Sequence, residues 1–473
     1  MNRPAAFYLP IPLLAAATLL LSLNSCGNNS SSTGTPPPPP SKIKHVVVIF
    51  QENRTPDNLF HDPVLIANHA DIASSGTNSL GQQIQLAPIP LGVDYDLNHA
   101  HSGFVAMYDG GKMDGADRVT VSCAKGATNC PPANPQFMYV QASDVGPYFQ
   151  MAEQYTFADR MFQTNQGPSF PAHQFIFSGT SAPTATSNLF DSENPQGASG
   201  NAGCIAPPEE FVYLIDPHGA ESSTTYPCFE HAALADELDA KSIPWRYYTP
   251  SAGSIWTAPN AIQHVCGPNA TPPNATACTS SDWTNNVVLY TTQNPAPILT
   301  DIANNQLAAV SWVIPAGQNS DHAGSTATTG GPSWVAAIVN AIGASAYWSD
   351  TAILITWDDW GGWYDHVAPQ VVNDGKSWGS GYAYGFRVPL LVISPYAKAA
   401  YISHVTHDFG SILHFIEGTF GLSSLGYADA HADDLSDCFD FSQTPITFQT
   451  INASVGADFF LHDQRPPTDP DDD

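Results

Sequence analysis

Continuous apolar runs that stop abruptly at polar residues set the pattern of this chain. Residues 44–50 (Lys-His-Val-Val-Val-Ile-Phe) are β-branched and apolar without alternation, and Gln51-Glu52-Asn53-Arg54 follows at once. That pattern predicts a strand buried on both faces of a parallel sheet. Residues 309–314 repeat it and turn through Pro315 and Gly317 to Ser320-Asp321-His322. Residues 351–357 are the clearest case, delivering Asp358-Asp359 and then Gly361-Gly362, while a fourth run, 388–393, ends at Ser394-Pro395. Between these runs, Trp334, Ala337, Ile338 and Ile342 after Pro332, and Phe409, Ile412, Leu413, Ile416 and Phe420, recur at helical spacing.

Strands alternating with helices predict an α/β fold with a mainly parallel central sheet and helices on both faces. Ligands in such sheets bind outside the carboxyl ends of the strands. Glu52, Asn53, Asp321, His322, Asp358 and Asp359 are therefore expected at one edge although they are far apart in sequence. Carboxylates gathered in one place repel, and protonation, basic partners or cations must relieve the repulsion. A lone strand-end Asp more often caps a helix; paired sets favour a site.

Composition sharpens this point. The net charge of −29 reflects only 14 Lys and Arg against 43 Asp and Glu, in a chain with 12% charged residues. Basic patches for nucleic acid are disfavoured, and few side-chain cations are available to neutralise an acidic edge. One divalent metal ion is the expected source of positive charge. An oxygen-rich set from Glu, Asn and Asp favours a hard ion such as Ca, Mg or Mn, with another identity left open.

At the N-terminus an apolar stretch from about Leu13 to Leu23 leads to Ser25-Cys26-Gly27, which reads as an export segment over residues 1–26. Cys26 is a candidate lipid anchor, so a periplasmic, cell-surface or secreted protein is expected. Residues 27–42, with five consecutive prolines, read as an extended tether. Residues 43–462 then form the expected catalytic domain, with an irregular, turn-rich insert at about 181–297, and the acidic residues 463–473 read as a disordered tail. Six of the remaining cysteines fall in local couples, Cys123 with Cys130, Cys204 with Cys228 and Cys266 with Cys278, leaving Cys438. This suits disulfides in an oxidising compartment rather than zinc-site spacing.

Ser169 lies in the tight turn Gln166-Gly167-Pro168-Ser169-Phe170-Pro171 with no Gly-x-Ser-x-Gly elbow. That absence disfavours a lipase-type triad, whereas a hydroxyl activated by a metal needs no elbow. His99, His264 and His322, together with His366 after Asp365 and His407, occur in polar settings that suit donors to phosphoryl oxygens; His101 and His404 are the weakest candidates.

Taken together, these residues resemble the bacterial phosphoesterases that include secreted phospholipases C and a group of acid phosphatases, distant members of the alkaline-phosphatase-like superfamily. The resemblance runs from Ile43 to about Leu422. It rests on His45-Val-Val-Val-Ile-Phe-Gln-Glu-Asn-Arg54, Asp96-Leu-Asn-His99, Gly111-Lys-Met-Asp-Gly115, Asp159-Arg-Met-Phe-Gln163, Gly167-Pro-Ser-Phe-Pro171, Ser320-Asp-His322, Thr356-Trp-Asp-Asp-Trp-Gly-Gly-Trp-Tyr-Asp-His366, Arg387-Val-Pro389 and His407-Asp408. It implies that Glu52, Asn53, Asp358, Asp359 and Ser169 hold one metal ion, and that Ser169 is the nucleophile of a two-step hydrolysis through phosphoserine. It also implies that His99, His264 and His322 line the phosphate pocket. Asp321, Asp365 and His366 belong to the motifs without a clear role. The expected substrate is a small phosphate ester or a phospholipid, and Ser rather than Thr at position 169 favours the acid-phosphatase branch. A sulfate-ester hydrolase and an inactive, ligand-binding surface lipoprotein are the alternatives. Two departures stand out: Ala172-His173 where the family has Asn-Arg, and Thr55-Pro-Asp-Asn-Leu-Phe-His61 after Arg54.

Overall fold

The computed structural model describes residues 41–128, 130–197, 201–326, 330–372 and 382–469. The export segment, Cys26 and nearly all of the expected tether lie outside the described residues. The strands of the central nine-stranded sheet are β1 (His45–Gln51), β2 (Thr156–Phe162), β3 (Trp245–Thr249), β4 (Val287–Leu289), β5 (Val310–Val313), β6 (Thr351–Trp357), β7 (Arg387–Ile393), β8 (Tyr401–Ser403) and β9 (His407–Asp408). Their order is β4-β3-β5-β1-β6-β7-β2-β8, with β9 also pairing β2. Neighbours are parallel except at β7, which runs antiparallel to both β6 and β2. The sheet is thus mainly parallel, as expected of its apolar runs, and β1 and β6 in its middle are almost wholly buried.

Both faces are covered. Across β1, Trp312 of β5 lies opposite Val48 and Trp357 of β6 lies opposite Gln51, three residues further on. Because side chains alternate along a strand, the two tryptophans point to opposite faces. Helix α1 (Ala142–Gln154) covers one face through Tyr148, 5.0 Å from Trp357. Helix α2 (Ser169–Ser178) covers the other through Phe177, 5.1 Å from Trp312. Helices α3 (Gly331–Gly343) and α4 (Phe409–Phe420), both expected from their apolar spacing, pack on α1 and α2 respectively. Both are buried over most of their length, α3 continuously from Gly331 to Val339, as expected of helices packed between other layers rather than at the surface.

Three expectations are corrected. The 181–297 stretch is not simply an irregular insert. It supplies β3 and β4 to the main sheet and a small sheet of Phe190–Asp191, Val212–Ile215 and Glu221–Thr225. The C-terminal stretch expected to be disordered lies against the domain as far as Asp469: Gly317 N donates to Thr468 O at 2.8 Å, and Arg465 pairs with Asp463 at 2.7 Å. The apolar run 388–393 forms its strand in the reverse direction, so its start, not its Ser394-Pro395 end, lies beside the tips of β1 and β6. The disulfides follow the local couples, Cys123–Cys130, Cys204–Cys228 and Cys266–Cys278, and Cys438 is free and buried.

The reversal of β7 brings Arg387 to the acidic edge, fully buried. Its Nε donates to Asp365 Oδ1 at 2.9 Å, Nη2 to Asp57 Oδ1 at 3.3 Å, and Nη1 to the carbonyls of Asp71 and Asp159 at 2.9 and 2.8 Å. Breaking a buried pair by removing one partner costs about 3–5 kcal/mol because the other charge is left uncompensated. Arg387→Met is expected to lose stability of that order in urea unfolding at neutral pH.

Candidate active site

The register Gln51↔Trp357 between β1 and β6 ends both strands side by side. The next residues, Glu52-Asn53 and Asp358-Asp359, therefore meet, and all four are buried. Asn53 N donates to Asp358 Oδ1 at 3.2 Å, and Asp359 N donates to the same oxygen at 2.7 Å. Asn53 sits at φ 60°, a left-handed conformation that Asn tolerates better than most side chains. Gly361 is required beside it: a Cβ there would lie 2.4 Å from the Asn53 carbonyl oxygen, and its own φ is +63°.

Ser169 reaches this group from β2. After that strand, Gln163 Nε2 and Asn165 Nδ2 both donate to the Gly167 carbonyl, at 3.1 and 2.9 Å, and hold the turn. Pro168 then takes the N-cap position of α2, which makes Ser169 the first helical residue. Ser169 Oγ donates to Asp359 Oδ2 at 3.2 Å. The helix N-terminus at this point favours negative charge.

One turn further along α2, His173 occupies the position where sequence reasoning registered only a departure. Its Nε2 lies 3.6 Å from both Glu52 Oε1 and Asp358 Oδ2, and Glu52, His173 and Asp358 form a buried group able to converge on one ion. The signal was present in the four-residue spacing from Ser169, which puts both side chains on one helix face. Burial alone would raise Asp358, but His173, Glu52 and Ser169 outweigh it and hold its carboxyl down at about 2.

The donor set fits a cation. Asn53 Oδ1, Asp358 Oδ2 and His173 Nε2 are buried without a hydrogen-bond partner, and such atoms are costly unless something else engages them. The orientation of Asn53 suits a ligand, because its Nδ2 donates to His99 Nε2 at 3.2 Å and so turns Oδ1 away from His99. The tautomer follows from the other ring nitrogen, since His99 Nδ1 is 2.8 Å from the Leu97 carbonyl, an atom that can only accept. The neighbouring cation is committed elsewhere. Arg54 donates to the carbonyls of Asp321 and Leu91 and lies 5.0 Å over the Trp363 ring.

His322 adjoins this group, its ring 5.8 Å from that of His99, and Asp96, His99 and His322 make a second group of potential ligands. His322 Nδ1 donates to the Ala323 carbonyl at 2.6 Å. An open cleft of about 220 Å³ adjoins this group, lined by His99 and by Pro168, the residue before Ser169, with Asn98, Ser122, Glu193 and Asn194 among its other walls.

Four expected residues stand outside this arrangement. His264 is half-buried and held by Glu230 at 2.8 Å and Asp236 at 2.9 Å; the Asp236 hydrogen bond is the main reason its pKa is raised to about 9. Neither carboxylate belongs to the Ser169 group, so the contacts of His264 form an ion-pair network of their own. Asp321 lies under the strand ends, its Oδ2 accepting from Tyr148 Oη at 2.8 Å and Trp357 Nε1 at 3.0 Å, and burial raises it to about 6 against the pull of Arg54. Asp365 and His366 belong to the Arg387 network. His366 Nδ1 donates to Asp57 Oδ2 at 2.7 Å and Nε2 to Asp71 Oδ1 at 3.0 Å. Burial disfavours its charge, but Asp57 outweighs that and raises it to about 9; Asp365 is raised to about 6 by burial despite Arg387.

The Phosphoesterase family pattern matches residues 43–423, and the chain belongs to that family. It is 24% identical over 476 residues to the non-hemolytic phospholipase C of Pseudomonas aeruginosa, covering 90% of this chain and 62% of that one. It is likewise 24% identical over 445 residues to phospholipase C B of Mycobacterium tuberculosis, covering 85% and 78%. The chain thus spans less than two thirds of the first of these relatives. Among solved structures, a protein in the alkaline phosphatase superfamily from Vibrio parahaemolyticus aligns with TM-score 0.34 and 9% identity over 83% of this chain and 71% of that one.

His366 makes a stability test. Its folded pKa lies above the ordinary value of about 6.5, so between those values the folded state holds more protons than the unfolded one. Its contribution is complete below about pH 6.5 and is lost as pH rises through about 9. His264 acts in the same direction, so the difference between proteins isolates His366. His366→Gln is expected to show a smaller fall in unfolding free energy than wild type between pH 7 and 9, measured by urea denaturation.

Proposed function

We propose that this chain is a metal-dependent hydrolase of phosphate esters with Ser169 as nucleophile. The observation that carries the reading is the Ser169 hydroxyl at a helix N-terminus, 3.2 Å from Asp359 Oδ2 and on the same helix face as His173, which meets Glu52 and Asp358. Glu52, Asn53, His173, Asp358 and Asp359 would hold one divalent ion, with Ser169 adjoining it. The ion would supply the positive charge that phosphoryl transfer needs and this chain's few basic side chains do not. His173 adds a nitrogen to the oxygen set and adds Zn to the choice of Mg, Ca or Mn.

Ser169 Oγ passes its proton to Asp359 Oδ2 and attacks phosphorus, displacing the alcohol and leaving phosphoserine, which water then hydrolyses. The α2 N-terminus favours the negative charge that gathers on the equatorial oxygens. His99 both orients Asn53 and forms a wall of the cleft through which the ester enters. His322 beside it has its Nδ1 proton on the Ala323 carbonyl, so its Nε2 would donate to a phosphoryl oxygen only as imidazolium. Phospholipid cleavage is the activity named for the relatives. The polar lining of the cleft, including Asn98, Ser122 and Asn194, suits the hydrophilic portion of such an ester or a small phosphate ester. Three disulfides favour an oxidising compartment and support export.

Ser169→Ala is expected to lower turnover of an aryl phosphate by more than about a thousandfold with an unchanged unfolding midpoint; retention of wild-type rate would remove Ser169 from the nucleophile role. Asp358→Asn is expected to lose both metal and activity. Unchanged metal content by elemental analysis of the purified variant would contradict the ligand assignment.

A further inference from the structure

The segment Ser192-Glu193-Asn194 runs along the nucleophile turn in direct contact with it. A Cβ on Gly167 would lie 1.9 Å from the Ser192 carbonyl oxygen, so the two backbones touch and only glycine fits. Asn194 Oδ1 accepts from Phe170 N at 2.9 Å, in the first turn of the helix that begins at Ser169. Between these two anchors, the Glu193 carboxyl is held in place: its Oε1 accepts from His101 N at 2.9 Å, and His101 Nδ1 donates in turn to the Gln166 carbonyl at 3.2 Å. Glu193 is buried, yet it lines the cleft together with His99 and Pro168, the residue just before the nucleophile.

We propose that Glu193 is a further catalytic residue, the acid that gives its proton to the alcohol oxygen leaving phosphorus. The proposal rests on the phosphate-ester reading above. Its protonation state suits the role. Burial, and then the Glu221 carboxylate beside it, raise Glu193 to about 8, although His101 N and His99 oppose this. Glu221 is itself fixed by Ser192 Oγ, which donates to its Oε1 at 2.7 Å. Two carboxyl groups in one partly dry space do not both ionise readily, and one tuned close to the working pH makes an efficient acid.

The protons balance over the two steps. In the first, the Ser169 Oγ–P bond forms as the bond from phosphorus to the alcohol oxygen breaks. Asp359 takes the serine proton and Glu193 gives its own to the departing oxygen, so a neutral alcohol leaves and Glu193 remains as carboxylate. In the second, an oxygen–phosphorus bond forms from water as the Ser169 Oγ–P bond breaks. Glu193 recovers a proton from that water and Asp359 returns one to Ser169. Water is the only co-reactant.

The test compares kcat/KM of the metal-loaded, full-length wild type and Glu193→Gln across phosphate esters, from 4-nitrophenyl through phenyl to alkyl. Gln keeps the size and a hydrogen-bond donor but cannot release a proton. The loss is expected to grow along the series, from a few-fold for 4-nitrophenyl to about 10²–10⁴-fold for alkyl esters, with metal content equal to wild type. An equal loss on all esters, or none, would overturn the proton-donor role while leaving the Ser169 reading intact. A wild type that hydrolyses no phosphate ester would overturn both. If Glu193→Gln does not fold, wild type alone decides: a shallow dependence of kcat/KM on the acidity of the departing alcohol supports the proposal, and a steep one overturns it.

Discussion

Mutual repulsion among Glu52, Asp358 and Asp359 is the constraint around which this edge of the protein is organised. The parallel register of two buried, largely apolar strands brings these residues together, and a one-residue shift of that register would exchange the side chains packed on the two faces of the sheet. The hydrophobic core therefore imposes the acidic site. Backbone N–H groups of Asn53 and Asp359 answer one oxygen of Asp358, and His173 approaches the other, which like Asn53 Oδ1 is buried without a hydrogen-bond partner. A folded protein tolerates such an arrangement when a cation belongs in it.

A second acidic group at the same end of the sheet shows the contrasting solution. Asp57, Asp71 and Asp365 surround Arg387, with His366 bridging two of them and Arg160 pairing with Asp71 at 2.6 Å. Here the chain provides its own cations, and the carboxylates are engaged by guanidinium and imidazole donors. This group ties the Gly361-to-His366 loop to β7 and to the loop after β1, which fixes the ends of the strands that carry the site. The scarcity of Lys and Arg is thus not uniform: Arg387 and Arg160 stand where a permanent cation serves, and in the Ser169 group the residue that meets the carboxylates is His173, which can be neutral beside an exchangeable ion.

Much of this was legible in the sequence where one interaction dominates. Uninterrupted apolar runs announced β1, β5 and β6 and their polar termini, because a doubly buried strand leaves no other pattern. β2 escaped that reading since Asp159 and Arg160 interrupt it. The structure explains both: Asp159 accepts from Asp71 N and His404, and Arg160 reaches Asp71. β3 and β4 were hidden among turn residues, being short and reliant on aromatic packing such as Tyr247 against Trp312. The direction of β7 was not readable, because an apolar strand has the same composition either way. The partners of His264 were unreadable for a related reason: a polar neighbourhood in sequence does not say which carboxylates, here Glu230 and Asp236, will surround a ring in space.

His173 carries the largest revision. Against the Asn-Arg that the family resemblance leads one to expect, His173 puts an imidazole where a permanent cation would stand near the nucleophile. In place, its ring stacks at 6.2 Å on Trp256 and lies 5.2 Å from Phe50, so its orientation toward Glu52 and Asp358 is set by packing rather than by solvent-exposed hydrogen bonds. An arginine is always charged and would stand as a fixed counter-ion to the carboxylates. A neutral imidazole could instead offer its nitrogen lone pair to an ion held with those carboxylates, adding a ligand without adding charge. In the proposed centre the imidazole would make the donor set a mixed nitrogen and oxygen one, and metal preference is the property in which that choice is expected to show.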